Sequence, residues 1–141
     1  MITRPKETYD GALPSGNSVM AYVLVKVSNL LQEKTFQEEA KKQVLFLSEH
    51  CGAYPAGSCF FLIALMQYLD PPEHVVCVTA RPEEVRDLPL QLCPGTDLIV
   101  CAPTAERPLL QEKTTFYLCK GRTCFPPTND LDRIINSESG R

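Results

Sequence analysis

Asp10-Gly11-Ala12-Leu13-Pro14-Ser15-Gly16-Asn17-Ser18 runs directly into an apolar stretch that starts at Val19. This junction decides the first half of the fold. Gly11, Pro14 and Gly16 are turn formers, and Ser15, Asn17 and Ser18 are residue types that accept bonds from the first free amides of a helix. The segment therefore predicts a polar tip followed by a helix from about Ser18. Its hydroxyl, amide and carboxylate groups converge beside the positive end of a helix dipole, a setting that suits a polar or anionic ligand. Two readings stand side by side. One is a fixed cap. The other is a ligand site made by Asp10, Ser15, Asn17 and Ser18, with Asp10 as general base.

Working outward, the first helix extends to about Leu31. Val19, Val23, Val27 and Leu30 recur at helical spacing and predict the inward face, widened by Met20, Leu24 and Leu31. Thr35-Phe36-Gln37-Glu38 has the pattern of a capping box and predicts the start of a second helix. That helix turns Phe36, Ala40, Val44 and Leu47 inward and stops at Gly52. A third runs from about Pro55 to Leu69 and ends at Asp70-Pro71-Pro72. Its centre, Cys59 to Met66, is apolar nearly all round and expects cover on several sides.

After Pro72 the periodicity changes. His74–Ala80, Asp97–Cys101 and Thr114–Lys120 read as strands, and Arg81-Pro82-Glu83-Glu84 opens a short helix that Pro89 ends or distorts. Asn129 or Asp130 caps a last short helix through Leu131, Ile134 and Ile135, and the tail from Ser137 frays. The expected fold class is mixed α+β: about three helices over 1–72, then a small β-α-β parallel-sheet subdomain over 73–141 with a right-handed crossover.

The chain has 141 residues, 44% of them hydrophobic, and a formal net charge of −3. That composition excludes intrinsic disorder, and without a basic stripe nucleic acid is not an expected partner. The longest apolar run is far short of a bilayer span, so no membrane role is expected. Residues 1–10 lack the apolar centre of a signal peptide, which makes a cytoplasmic location the default. Seven cysteines, an odd number, mostly lie in apolar runs (Cys59, Cys77, Cys93, Cys101) and predict reduced thiols over a disulfide scaffold.

Three further segments carry residue types able to do chemistry. Cys119 and Cys124 have neither the spacing of a zinc site nor that of a CxxC redox motif. A hairpin turning at Gly121 brings the two thiols together without any chemistry. His50-Cys51, near Tyr54 and Cys59, would need facing side chains, whereas adjacent helical residues point about 100° apart; His50 reads instead as a helix-terminal cation. The strand ends Thr79-Ala80-Arg81 and Ala102-Pro103-Thr104 lie where open parallel sheets bind ligands. Neither is followed by a glycine-rich loop, and no GxSxG elbow occurs. No cofactor and no metal are expected.

The run DGALPSGNSVMAYVLVKVSNLL and the later Tyr117-Leu118-Cys119-Lys120-Gly121-Arg122-Thr123-Cys124-Phe125-Pro126 together resemble the spermatogenesis-associated protein 20-like family of thioredoxin-domain-containing proteins. The resemblance implies an N-terminal thioredoxin-like domain and a helical (α/α)-barrel similar to that of N-acylglucosamine 2-epimerases and six-hairpin glycosidases. On that view this chain is a C-terminal piece, holding the last barrel helices and a small α/β appendage. Asp10, Ser15, Asn17 and Ser18 then form one wall of a carbohydrate-type pocket and no complete active site. The implied partners are the missing thioredoxin and barrel portion, or a second copy through an uncovered apolar helical face. A docking module without catalysis and a thiol-redox protein are the alternatives.

Overall fold

A computed structural model describes residues 6–92, 96–121 and 123–139. The chain separates into two compact units, divided between Pro71 and Pro72. The class is mixed α+β.

The first unit consists of α1 (Gly16–Leu31), α2 (Lys34–Cys51), a 3₁₀ turn (Pro55–Ser58) and α3 (Cys59–Leu69). Helix α1 packs against both α2 and α3, which touch each other little. The core joins Ala21 and Val25 of α1, Ala40, Val44 and Leu47 of α2, and Phe61 and Ala64 of α3. Small residues dominate these contacts because a central helix must let two neighbours approach closely. Ser28 is buried too, its hydroxyl donating to the Val25 carbonyl.

This arrangement corrects the expected face of α1. Val19, Met20, Val23 and Leu31 are 40–53% exposed, and Ser18, Ala21, Val25 and Ser28 are buried in their place. Bulk points to the side of α1 opposite the small residues that the structure buries. In α2 the expected Ala40, Val44 and Leu47 are inward, joined by Cys51, while Phe36 is half-buried. The capping box at Thr35 does not form. The helix begins two residues earlier, after Glu33, and Gln32 in the left-handed region (φ 58°) makes the sharp α1–α2 corner. Helix α3 keeps Ile63, Met66 and Leu69 exposed, so the cover expected on several sides is absent among the described residues.

In the second unit β1 (Glu73–Val78), β2 (Asp97–Cys101), β3 (Thr115–Lys120) and β4 (Thr123–Cys124) form one sheet in the order β2-β1-β3-β4. β1 and β2 are parallel, with Val76 opposite Ile99, while β1–β3 and β3–β4 are antiparallel. The sheet is therefore mixed rather than parallel. The expected crossover helix is replaced by two 3₁₀ turns, Pro82–Val85 and Leu88–Leu90. Pro82 and Pro89, early in the two turns, leave too short an uninterrupted run between them for an α-helix.

One face of the sheet packs Val75, Cys77, Phe116 and Leu118 with Leu88, Leu92 and Ile134. The opposite face gathers Val76, Val78, Tyr117 and Cys119 with Ile99, Cys101 and Leu109. The last helix, α4 (Leu131–Ser139), is capped by Asp130, whose Oδ1 accepts from the Asp132 amide at 3.0 Å. Helix α4 continues through Ser139, beyond the expected fraying point at Ser137; Gly140 and Arg141 lie outside the described residues.

Candidate functional site

The structure brings Asp10, Ser15 and Ser18 together and places Asn17 on the outer side of the same turn. Asp10 is buried although it precedes the first helix. Its Oδ1 accepts from the Ser15 amide at 2.8 Å. Its Oδ2 accepts from the amides of Phe60 and Phe61 at 2.9 and 3.2 Å, at the start of α3. The Ser15 hydroxyl accepts from the Ser18 amide and donates to the Ser18 hydroxyl at 2.9 Å, and Ser18 in turn hydrogen-bonds the Asp10 carboxylate. Ser15 is thus the N-cap of α1, and Asp10 caps α3 from a distance.

Burial alone raises the Asp10 pKa, but hydrogen bonds from Ser15, Ser18, Phe61 and Phe60 outweigh it and hold the carboxyl below its ordinary value. A carboxylate so stabilised is a weak base. Asn17 is also engaged: its Nδ2 donates to the Glu7 carbonyl, and its Oδ1 and backbone carbonyl receive Gln43 of α2 at 3.3 and 3.0 Å. The geometry of all four residues serves the junction of the three helices. The sequence lacked any sign that Asp10 would reach across fifty residues to α3.

Gly57 completes the junction. Its carbonyl accepts from the Asp10 amide at 2.7 Å. The rings of Tyr9 and Tyr54 stack nearly parallel, 6.3 Å apart, around it. A Cβ there would lie 2.5 Å from Tyr9 and 2.6 Å from Tyr54, so only glycine fits without moving a ring.

The end of β1 opens on a cleft of about 290 Å³, lined by Thr79, Ala80, Arg81, Glu84, Leu109, Glu112, Lys113 and Thr114. The first strand end named from sequence is in this lining, and Ala102, Pro103 and Thr104 are not. The Thr79 and Thr114 hydroxyls lie 2.9 Å apart and Arg81 pairs with Glu84 at 2.7 Å, so much of the polar lining satisfies itself. Gln111 and Glu112, both at positive φ (52° and 59°), make the tight turn that brings Lys113 and Thr114 to the rim. Neither residue type announces such a turn, which is why the sequence reading missed this wall.

The expectation of reduced thiols is corrected at the β3–β4 hairpin. Gly121 (φ 56°) makes the turn, Cys119 faces Cys124, and the two form a disulfide with Cα atoms 3.9 Å apart. The register dictates this, because directly opposed residues project to one face. Cys51, Cys59, Cys77 and Cys101 are free thiols, and Cys93 lies outside the described residues. Burial, with Cys101 nearby, pushes the Cys77 thiol up to about 11.

At the end of α2, exposed His50 places Nδ1 2.8 Å from the Phe46 carbonyl, while Cys51 is buried. Among the described residues no cluster of three or more His, Cys, Asp or Glu side chains is arranged to hold a metal, and no helix is long and apolar enough to cross a membrane. Compared with family models, with curated proteins and with solved structures, the chain matches none.

Proposed function

We propose that this chain is the carboxyl-terminal, non-catalytic portion of a protein of the spermatogenesis-associated protein 20-like kind, and that α1 packs its outward face against the remaining helices of an (α/α)-barrel. One observation carries this reading. Val19, Met20, Val23 and Leu31 stand exposed on the side of α1 away from Ala21 and Val25. An apolar helix face of this length is costly to leave in water and marks an interaction surface. The two sequence runs that resemble the family supply the identity of the cover.

In such an assembly Asp10, Ser15 and Ser18 fix the ends of α1 and α3 and so shape a wall of the carbohydrate-type pocket that the resemblance implies. Their own polar groups are committed to that joint. A free-standing docking module would use the same α1 face. A reading frame continuous with barrel-coding sequence upstream of Met1 separates the two.

The test is sedimentation of the isolated chain with an apolar dye. Concentration-dependent association and dye binding are expected, both abolished by Val19→Glu with Val23→Glu. A stable monomer that binds no dye would overturn the proposal.

A further inference from the structure

The sheet register sets four chemistry-bearing residues in one transverse row. His74 of β1 faces Asp97 of β2 on one side and Cys119 of β3 on the other, and Cys119 faces Cys124 of β4. Directly opposed residues on neighbouring antiparallel strands share a face, with Cβ atoms about 4.5–5.5 Å apart. The packing agrees, since Cys119 belongs with Val76, Val78 and Tyr117 on one face and Val75 and Leu118 belong to the other. The row across the four strands is Asp97, His74, Cys119, Cys124, and its last two members form the disulfide.

His74 is only 1% exposed, and its Nε2 is a buried polar atom without a hydrogen-bond partner among the described residues. Leaving such an atom unpaired is unfavourable, because it has given up water without gaining a protein partner. Burial and the Arg107 charge lower the imidazole pKa while Asp97 pulls it up, with the net result below its ordinary value. A neutral imidazole therefore lies next to a half-cystine. In the reduced state the Cys119 thiol would give Nε2 the partner that the disulfide withholds.

We propose that Cys119–Cys124 is an exchange-active disulfide, in which Cys124 is the sulfur attacked by an external dithiol and His74 handles the proton of Cys119. The exposures assign the roles: Cys124 is exposed on the short edge strand, and Cys119 is wholly buried. A thiolate of the dithiol attacks Cys124 Sγ. The Cys119–Cys124 bond breaks as a mixed disulfide forms on Cys124, and Cys119 Sγ leaves with the electron pair and takes a proton by way of His74. The second thiol of the dithiol then attacks its own sulfur in the mixed disulfide and expels Cys124. Two electrons pass to the protein, the dithiol becomes a disulfide, and its two protons end on Cys119 and Cys124. In the reverse direction neutral His74 accepts the Cys119 proton and the resulting thiolate attacks.

Two alternatives fit less well. As a staple the bond does little, because it closes a very short loop in a hairpin already held by the Phe125 amide on the Leu118 carbonyl, and chain-entropy gain falls with loop length. As a metal site the row is too extended: strands about 4.8 Å apart put Asp97 and Cys124 roughly 14 Å apart along it.

The experiment uses the whole chain. Reduction by dithiothreitol is followed by acid quench, alkylation and mass measurement, as a function of pH. His74→Gln is expected to slow reduction by about tenfold or more, within the usual reach of a positioned acid–base group. It should also remove the inflection that His74 adds to the pH profile. His74 is faced by Asp97 from β2, Cys119 from β3 and Arg107 from the loop after β2, and Asp97→Asn should move that inflection. Unchanged rates and profiles in His74→Gln would overturn the proposal. Cys119→Ser and Cys124→Ser decide independently of whether His74→Gln folds. With oxidised glutathione, Cys124 in Cys119→Ser should capture one glutathione at least tenfold faster than Cys119 in Cys124→Ser. Equal capture by both, or none by Cys119→Ser, would overturn it.

Discussion

The carboxylate of Asp10 lies 2.9 Å from the backbone nitrogen of Phe60, fifty residues further along the chain. One oxygen serves the turn before α1 and the other serves the first amides of α3, so a single side chain ties the start of one helix to the start of another. Removing it strands three amides, of which Ser15 and Phe61 belong to buried residues.

Asp10→Ala is accordingly expected to lower stability by about 1.5–3 kcal/mol, the range for hydrogen bonds to a charged group. Asp10→Asn, which retains one acceptor oxygen, should cost less. Urea denaturation read by helical circular dichroism checks both.

The same carboxylate sets an acid dependence. Its folded pKa is lowered from 3.8, so its contribution is fully present above that value. It is lost as the pH falls below 3.8 and through the lower folded value. Asp10→Asn should flatten the stability-against-pH curve in that window and leave its slope, though not its height, unchanged near neutrality. A curve of the same steepness in wild type and variant would refute the assignment.

Much of this was legible in the residues and part was not. Asp97–Cys101 reads as a strand to the residue, and the turn chemistry around Ser15 predicts the start of α1 to within two residues, because strands of β-branched residues and capping hydroxyls are local signals. What failed depended on partners distant in sequence. Nothing near Asp10 says that α3 will dock on it. Nothing near Val23 says that Ala21 and Val25 will be chosen for burial instead. His74 and Cys119 were each visible in the sequence, but only strand order and register place them side by side.

The inverted face of α1 gives a paired test. Val23→Glu lies on the exposed side and should change the stability of a dilute sample by no more than about 0.5 kcal/mol. Val25→Ala, on the buried side, removes two methyl carbons from a core and should cost about 1–3 kcal/mol. The opposite ranking would restore the face that bulk alone suggests.

Gly57→Ala pushes a methyl group into both the Tyr9 and Tyr54 rings. The rings are more than half exposed and can swing outward, which limits the loss to about 1–3 kcal/mol, the usual range for overpacking. Displacing Tyr9 also pulls on the Asp10 amide bonded to Gly57. Combining Gly57→Ala with Tyr9→Ala should therefore cost less than the sum of the single changes, as a double-mutant cycle measures.

The Leu110–Lys113 turn holds Gln111 and Glu112 at φ 52° and 59°, a conformation that side chains bearing a Cβ adopt at a cost. Asparagine tolerates the first position and glycine relieves the second. Gln111→Asn with Glu112→Gly should raise stability by about 1 kcal/mol, measured by thermal or urea unfolding. The gain must come from the backbone, because both side chains are exposed and neither donates or accepts a hydrogen bond among the described residues. A loss of stability instead would mean that Glu112 contributes through the cleft it borders, beside Lys113 and Arg81.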